Sequence, residues 1–240
     1  MNILITGGAS GLGEAITRKL VQDSECKVYF TYSKSHINAL KIETEFPNAF
    51  SIKCDYTNAT EVDELKEKID RLNIDILINN AYNGGFIQSY FHKTAPIDFL
   101  NDFKANILPT IFITQSAISC FRKKKNGKII TILTAALINT PPIGSSVYSA
   151  NKAYMEELTK VWATENVKFN ISSNSVSPSF MPTGLTADVD ERIVEQMQEN
   201  HPLKKLLTTE EVADTVFFLT KASPQINGIN IVLNAATNIK

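Results

Sequence analysis

Cysteine and histidine are scarce in this chain, and their scarcity excludes two classes of protein at the outset. The three cysteines, Cys26, Cys54 and Cys120, are odd in number and far apart, which fits buried reduced thiols and not a disulfide framework. The three histidines, His36, His92 and His201, fall at no spacing that would hold zinc. Net charge is equally wanting. With 24 Lys and Arg against 25 Asp and Glu the formal charge is −1, so nothing in the balance calls for nucleic acid. The one basic run, Arg122 to Lys125, precedes Asn126-Gly127 and reads as a solvated helix end whose charge suits the helix dipole. Long apolar runs are missing too. Asn2 to Ile5 opens a strand without a charged leader, which argues against secretion and membrane spanning and makes the cytoplasm the expected location.

What the chain does have is one alternation kept up from end to end. At 240 residues and 43% hydrophobic it can bury a large core, with no repeat, low-complexity tract or linker to divide 1–240 into more than one domain. Apolar runs at 2–5, 27–31, 50–53, 74–78, 128–133, 169–176 and 229–233 predict seven strands. Helical periodicity follows the first six, over 13–21, 37–45, 61–72, 97–120, 146–164 and 210–220. Thr208 and Glu211 stand at capping-box spacing before the last of these. The expected fold is therefore α/β, a doubly wound parallel sheet with helices on both faces and a ligand crevice at the carboxyl ends of its central strands. The exception to the rhythm is 177–200, with Pro178, Pro182 and Gly184 before an amphipathic piece at 189–199, which reads as a binding loop or lid.

Two constellations carry chemistry. Gly7, Gly11 and Gly13 sit where strand one meets helix one: the first frees the turn, the second admits a pyrophosphate, and the third lets helix and strand pack closely. Tyr148 and Lys152 stand four residues apart on a predicted helix, so an ammonium lies beside a phenol and favours its ionised form. A phenol ionises near pH 10, and such a neighbour brings it towards the working range of a proton donor.

Thr6-Gly-x-x-x-Gly-x-Gly13, Asn79-Asn-Ala81 and Tyr148-x-x-x-Lys152 occur in the order found in the short-chain dehydrogenase/reductase family, and the resemblance covers essentially the whole chain. It implies a Rossmann-type domain that binds NAD or NADP and moves a hydride between nicotinamide and a carbonyl or secondary alcohol. By motif, Tyr148 is the catalytic acid or base, Lys152 lowers its pKa and holds the nicotinamide ribose, and Asn106 is the family's active-site asparagine. Pro109 interrupts the long helix around Asn106 and frees a carbonyl to hold a water, which in the family links the lysine to solvent. Thr134 aligns with the catalytic serine, one residue further from the tyrosine than is usual; Ser145 and Ser146 are the lesser candidates for that hydroxyl. The cofactor cradle implied comprises Gly7, Ser10, Gly11, Leu12, Gly13, Asn80, Ala81, Lys152, Pro178 and Thr183, with Asp55 meeting the adenine or, more plainly, capping the next turn. Tyr82, Ser179 and Asn234-Ala-Ala236 depart from the family, which carries glycine after Asn-Asn-Ala, Pro-Gly after strand six and Asp-Gly-Gly near the C-terminus.

The end of strand two, Tyr29 to Lys34, has no carboxylate to accept from a 2′-hydroxyl, and Ser33 and Lys34 are placed to donate to a phosphate. NADP(H) is thus favoured over NAD(H), against the absence of a basic residue at Ser10. The pattern is similar to the 3-oxoacyl-carrier-protein reductase branch, so a carrier-linked substrate is expected; a reductase of sugar or secondary-metabolite ketones, or a nucleotide binder without turnover, is the alternative. Tyr82, Phe86, Tyr90 and Phe91, with Phe180, Met181, Leu185 and Met197 in the lid, are candidates for an apolar pocket. The apolar residues of 97–120 and 146–164 run broadly around both helices, from which a homodimer or homotetramer follows.

Overall fold

The computed structural model describes residues 1–84, 88–186 and 189–238. The strands β1 (Asn2–Ile5), β2 (Lys27–Tyr32), β3 (Ala49–Lys53), β4 (Ile76–Asn79), β5 (Gly127–Ile132), β6 (Ile171–Pro178) and β7 (Asn230–Leu233) form one sheet in the order β3-β2-β1-β4-β5-β6-β7. Every pair is parallel, with Leu4 opposite both Tyr29 and Leu77 and Leu77 opposite Ile129. The chain winds outward from β1 in one direction and from β4 in the other. Their junction is the topological switch point, where loops diverge and leave a crevice.

Alternation along the strands feeds two cores. Ile3, Ile5, Ile76, Ile78, Ile130 and Ile132 face the helices α1 (Gly11–Val21), α2 (His36–Glu45) and α8 (Thr209–Lys221). Leu4, Leu77 and Ile129 face the opposite layer, where α3 (Ala59–Leu72), α5 (Leu108–Lys124) and α6 (Ser146–Asn166) supply Leu65, Ile69, Phe121, Met155 and Trp162. A sheet covered on both faces needs apolar residues at consecutive positions, the run that the sequence shows.

The helix ends are chemically specified. Asn58 accepts from the backbone N–H groups of Thr60 and Glu61 to open α3, and the Thr208/Glu211 box opens α8. The basic run closes α5: Lys123 pairs with Asp70, Lys124 with Asp75, and Lys125 takes the left-handed cap. The short helix α4 (Pro96–Asp102) continues into α5 through a π turn at Phe103–Ile107. The expected break therefore falls just before Pro109 and not at it: a proline donates no hydrogen bond, and the turn ahead of it widens to i→i+5, with Leu108 N–H bonded to Phe103 O. The last helix in the lid, α7 (Glu191–Asn200), has no buried residue, so it stands off the core.

Ala235 and Ala236 adopt φ of 48° and 59°, the left-handed region, with Asn234 Oδ1 accepting from Ala236 N–H at 3.1 Å. These alanines occupy the backbone shape for which glycine is suited, and the left-handed conformation costs an L-residue roughly 1–2 kcal/mol. Glycine loses part of that gain to greater freedom when unfolded. Ala236→Gly is therefore expected to stabilise by about 0.5–1 kcal/mol, read as a rise in melting temperature of about 2–3 °C. No rise in calorimetry would mean the turn relaxes at no cost.

Candidate active site

The glycine turn lies at the switch point. Gly7 and Gly11 have φ of +67° and +51°, and a Cβ on Gly13 would fall 1.9 Å from Gly7 O, so the turn closes on its own helix. Beside Gly11 the space is open except for Thr183, whose Cβ would lie 3.8 Å from an added Cβ, so a gap runs between this turn and the segment after Pro178. Ser10 is exposed and makes no capping hydrogen bond, so among the described residues the first-turn N–H groups of α1, around Leu12 and Gly13, have no side-chain acceptor. That is the donor set and dipole a pyrophosphate requires.

Asn80 and Ala81 hold this turn from the β4 side. Asn80 Nδ2 donates to Thr6 O at 3.0 Å and Gly7 O at 3.1 Å, and the N–H groups of Asn80 and Ala81 both reach Thr6 Oγ1 at 3.1 Å. Thr6 is thus the joint between β1 and β4, a role its place as a motif letter did not reveal. At the adenosine end, Ser33 Oγ donates to Asp55 Oδ2 at 2.8 Å, while Asp55 Oδ1 accepts from Thr57 N–H and Oγ1. These bonds, Thr57 first, hold the Asp55 carboxyl below its ordinary value. The plainer reading of Asp55 as a turn cap is visible here, and the Ser33 proton points to it, not to a phosphate. Lys34 is exposed.

Tyr148 and Lys152 rise from the first turns of α6 to face the end of β5. Lys152 is buried, and its Nζ donates to Ile132 O at 2.8 Å. Burial brings its ammonium down to about 8, against the opposing pull of Asp102. Tyr148 is half-buried, and packing around its hydroxyl pushes the phenol up to about 12, with a Thr134 hydrogen bond acting against the rise. The expected lowering by Lys152 is corrected here: the ammonium lies 5.7 Å from the Tyr148 ring centre, and desolvation by burial raises the phenol, with only the Thr134 bond acting the other way. Thr134 is the hydroxyl brought to the tyrosine. Ser145 is bonded instead to Ser149 at 2.9 Å, and Ser146 Oγ is buried without a partner among the described residues.

Asn106 lies in the π turn, and its amide grips the loop after β4: its Oδ1 accepts from Asn83 N–H at 2.5 Å and its Nδ2 donates to Asn83 O at 3.2 Å. A cavity of about 20 Å³ beside Lys152 is lined on one part by Asn79, Asn106, Thr110 and Thr131 and on the rest by Tyr82 and aliphatic side chains. Asn79 Oδ1 and Thr131 Oγ1, both on that lining, are buried without partners among the described residues. Such a space is sized for a single water with polar contacts on several sides.

Among the described residues the aromatic pocket forms only in part. Tyr82 turns inward onto Tyr148, whereas Tyr90 and Phe91 are exposed and Phe91 packs edge-on to Phe99. Met181 packs on the first core and Met197 is exposed. Phe86 and the lid positions 187 and 188 lie outside the described residues. Ser179, in place of the family glycine, donates its N–H to Leu233 O at 2.9 Å and ties the start of the lid to β7.

The sequence family described as enoyl-(acyl carrier protein) reductase matches residues 7–235. The chain is 30% identical over 223 residues to a 3-oxoacyl-(acyl-carrier-protein) reductase of Thermotoga maritima, spanning 90% of this chain and 88% of that one. It is 29% identical over 239 residues to carbonyl reductase family member 4 of Xenopus laevis, spanning 98% and 97%. In three dimensions it is similar to a 3-ketoacyl-(acyl-carrier-protein) reductase from Brucella melitensis crystallised with NADH, at a TM-score of 0.88, 21% identity, and 99% and 98% coverage, a likeness of fold.

Proposed function

Because the chain belongs to the short-chain dehydrogenase/reductase family, we propose that it is a nicotinamide-dependent reductase of a carbonyl, with 3-oxoacyl thioesters, including carrier-linked ones, as its substrate class. The observation that carries this reading is the meeting of Thr134, Tyr148 and Lys152 at the end of β5, across the crevice from the glycine turn. The cradle fits a dinucleotide, since the first turn of α1 offers donors and the Gly11 side is open. Gly7, Gly11, Leu12 and Gly13 would hold the pyrophosphate, Asn80, Ala81 and Lys152 the nicotinamide ribose, and Pro178 and Thr183 the nicotinamide side of the gap.

The nicotinamide, when bound, supplies the hydride. The remaining chemistry belongs to the chain. Thr134 and Tyr148 flank the substrate oxygen, Thr134 donating a hydrogen bond and Tyr148 Oη transferring its proton as charge develops there. A phenol raised to about 12 is fully protonated at neutral pH, the form a reduction needs. Lys152 would stabilise the phenolate that remains, and the small cavity beside it, lined in part by Asn106, would give the replacement proton a route.

Turnover is tested by following oxidation of NADPH and NADH against a panel of 3-oxoacyl thioesters of pantetheine, sugar ketones and simple ketones. Consumption with the thioesters is expected. Nucleotide binding without consumption across the panel would make the chain a binder, the reading that Thr134, Tyr82 and Ser179 at positions usually held by serine and glycine favour.

The reading also favours NADP(H). Asp55 and Glu14 are the carboxylates near this end of the cradle, and both are committed: Asp55 to Ser33 and Thr57, Glu14 to Asn38 and Arg18. Both are held by other partners and not free for a 2′-hydroxyl, and exposed Lys34 is a donor available to a phosphate. By calorimetry NADPH is expected to bind more tightly than NADH, with Lys34→Ala narrowing the gap several-fold. Tighter NADH binding would overturn it.

Phe112, Tyr154 and Val161 remain exposed on α5 and α6, the second apolar face from which a homodimer or homotetramer is inferred. Among the described residues no helix is long and apolar enough to cross a membrane.

A further inference from the structure

Tyr82 stands where the resembled family carries glycine, yet its φ is not left-handed, so the backbone does not demand glycine here. Its side chain is fully engaged. The hydroxyl donates to Asp102 Oδ2 at 2.8 Å, and Asn151 Nδ2 donates to the same oxygen at 2.6 Å. Asp102, the last residue of α4, is 9% exposed and Asn151, on α6 beside Lys152, is 7% exposed. The other end of Tyr82 meets the catalytic pair. Its ring lies edge-on to that of Tyr148, centres 5.2 Å apart at 73°, and Lys152 Nζ sits 5.3 Å from its centre.

The ammonium is therefore set between two phenol rings with, among the described residues, one direct hydrogen bond, to Ile132 O. A buried cation so placed needs a negative charge nearby to remain a cation. The ionisable groups facing it are Tyr82 from the loop after β4, Tyr148 from α6 and Asp102 from α4. Burial holds both phenols high, so neither is an anion at neutral pH. That leaves Asp102, whose charge acts against the desolvation of Lys152.

We propose that Asp102 is the counter-charge of Lys152 and a positioning residue for it, fixed by Tyr82 and Asn151 and acting across the Tyr82 ring. The ring does the second half of the task by bracing Tyr148 from the side, so the loop that replaces glycine ties the tyrosine, the lysine and the buried carboxylate into one unit. The proposal rests on the reading of Tyr148 as proton donor and Lys152 as its partner. It goes beyond that reading by assigning the group that sets the charge of the lysine.

The test titrates Lys152 directly. The NMR resonance of its ε-carbon, identified by its loss in Lys152→Met, is followed against pH in the wild type, Asp102→Asn and Tyr82→Phe. Asp102→Asn should lower the Lys152 titration by about one unit, because it removes the charge and keeps an acceptor for Tyr82. Tyr82→Phe breaks the same hydrogen bond and keeps the charge, so its shift should be less than half as large. A purely structural carboxylate would destabilise both variants and move neither titration. Should Asp102→Asn not fold, the combination Tyr82→Phe, Asp102→Leu and Asn151→Ala replaces the polar set together, leaves no orphan, and should give the same shift. An unmoved titration on loss of Asp102, or equal shifts in Asp102→Asn and Tyr82→Phe, overturns the proposal. In turnover, the alkaline limb of kcat against pH should move down with the Lys152 titration in Asp102→Asn, while KM stays within about twofold. Absence of any turnover in the wild type would sink the reductase reading and leave the titration result standing, so the two failures are separable.

Discussion

Tyr148→Phe will remove at least about two orders of magnitude from kcat while leaving the fold and the nucleotide affinity nearly intact. The ring that packs edge-on against Tyr82 is kept, so the wall of the site stays in place. What disappears is one hydroxyl, which meets Thr134 and carries the proton proposed for transfer. A general acid contributes about 10²–10⁴ to a rate, and no other described side chain here can take over as donor: Lys152 is turned to Ile132 O, and the Ser145 hydroxyl is spent on Ser149. Steady-state kinetics with a responsive ketone, together with calorimetry of NADPH binding, checks both halves. A variant with more than about a tenth of wild-type kcat would remove Tyr148 from the mechanism.

Lys152→Met should abolish turnover as thoroughly, and should also make the protein more stable at neutral pH. In the folded chain Lys152 titrates near 8, against 10.5 for an unburied lysine. Below pH 8 both folded and unfolded chains carry the proton, and the fold bears the full cost of a buried ammonium. Between 8 and 10.5 the folded form gives up its proton while the unfolded form keeps it, so the unfolded state binds more protons and stability rises with pH; above both values the cost is gone. Methionine fills the same volume with no charge, at the expense of the bond to Ile132 O. The gain should be on the order of 2 kcal/mol at pH 7, read from urea midpoints, and should shrink to nearly nothing by about pH 10.5. A gain independent of pH would assign it to packing and not to charge. The expected loss of activity with a gain in stability is the mark of a residue kept for function.

All seven strands and six of the helices were legible because their signal is local, an apolar period of two or near 3.6 within a short window. The placement of Gly7, Gly11 and Gly13 on the strand–helix turn and of Tyr148 and Lys152 on one helix was legible for the same reason, since each motif lies within a single turn or helix; their roles stay a proposal. The features that escaped are pairings across the chain. The Ser33 proton reaches Asp55, 22 positions away, and Thr6 joins Asn80, 74 away. Asp102 and Asn151 meet across 49 positions, and neither residue announces itself in its own segment. The π turn around Asn106 also has no sequence period; only Pro109 marked the region, and the wider turn lies before it. The sign of the Tyr148 shift escaped because i, i+4 spacing counts a neighbour's charge and cannot count the burial that raises the phenol.

The three thiols lie on opposite sides of the sheet. Cys26 belongs to the core under α1, α2 and α8, and Cys54 and Cys120 to the core under α3, α5 and α6. All three are buried and free, and burial raises each thiol, Cys54 to about 12. A soluble alkylating reagent therefore meets almost no thiolate until the packing above a given cysteine opens. Labelling then becomes a clock for local opening, with one hand on each face. A mass-resolved time course of Cys26 against Cys54 and Cys120 reads which layer of helices leaves the sheet first.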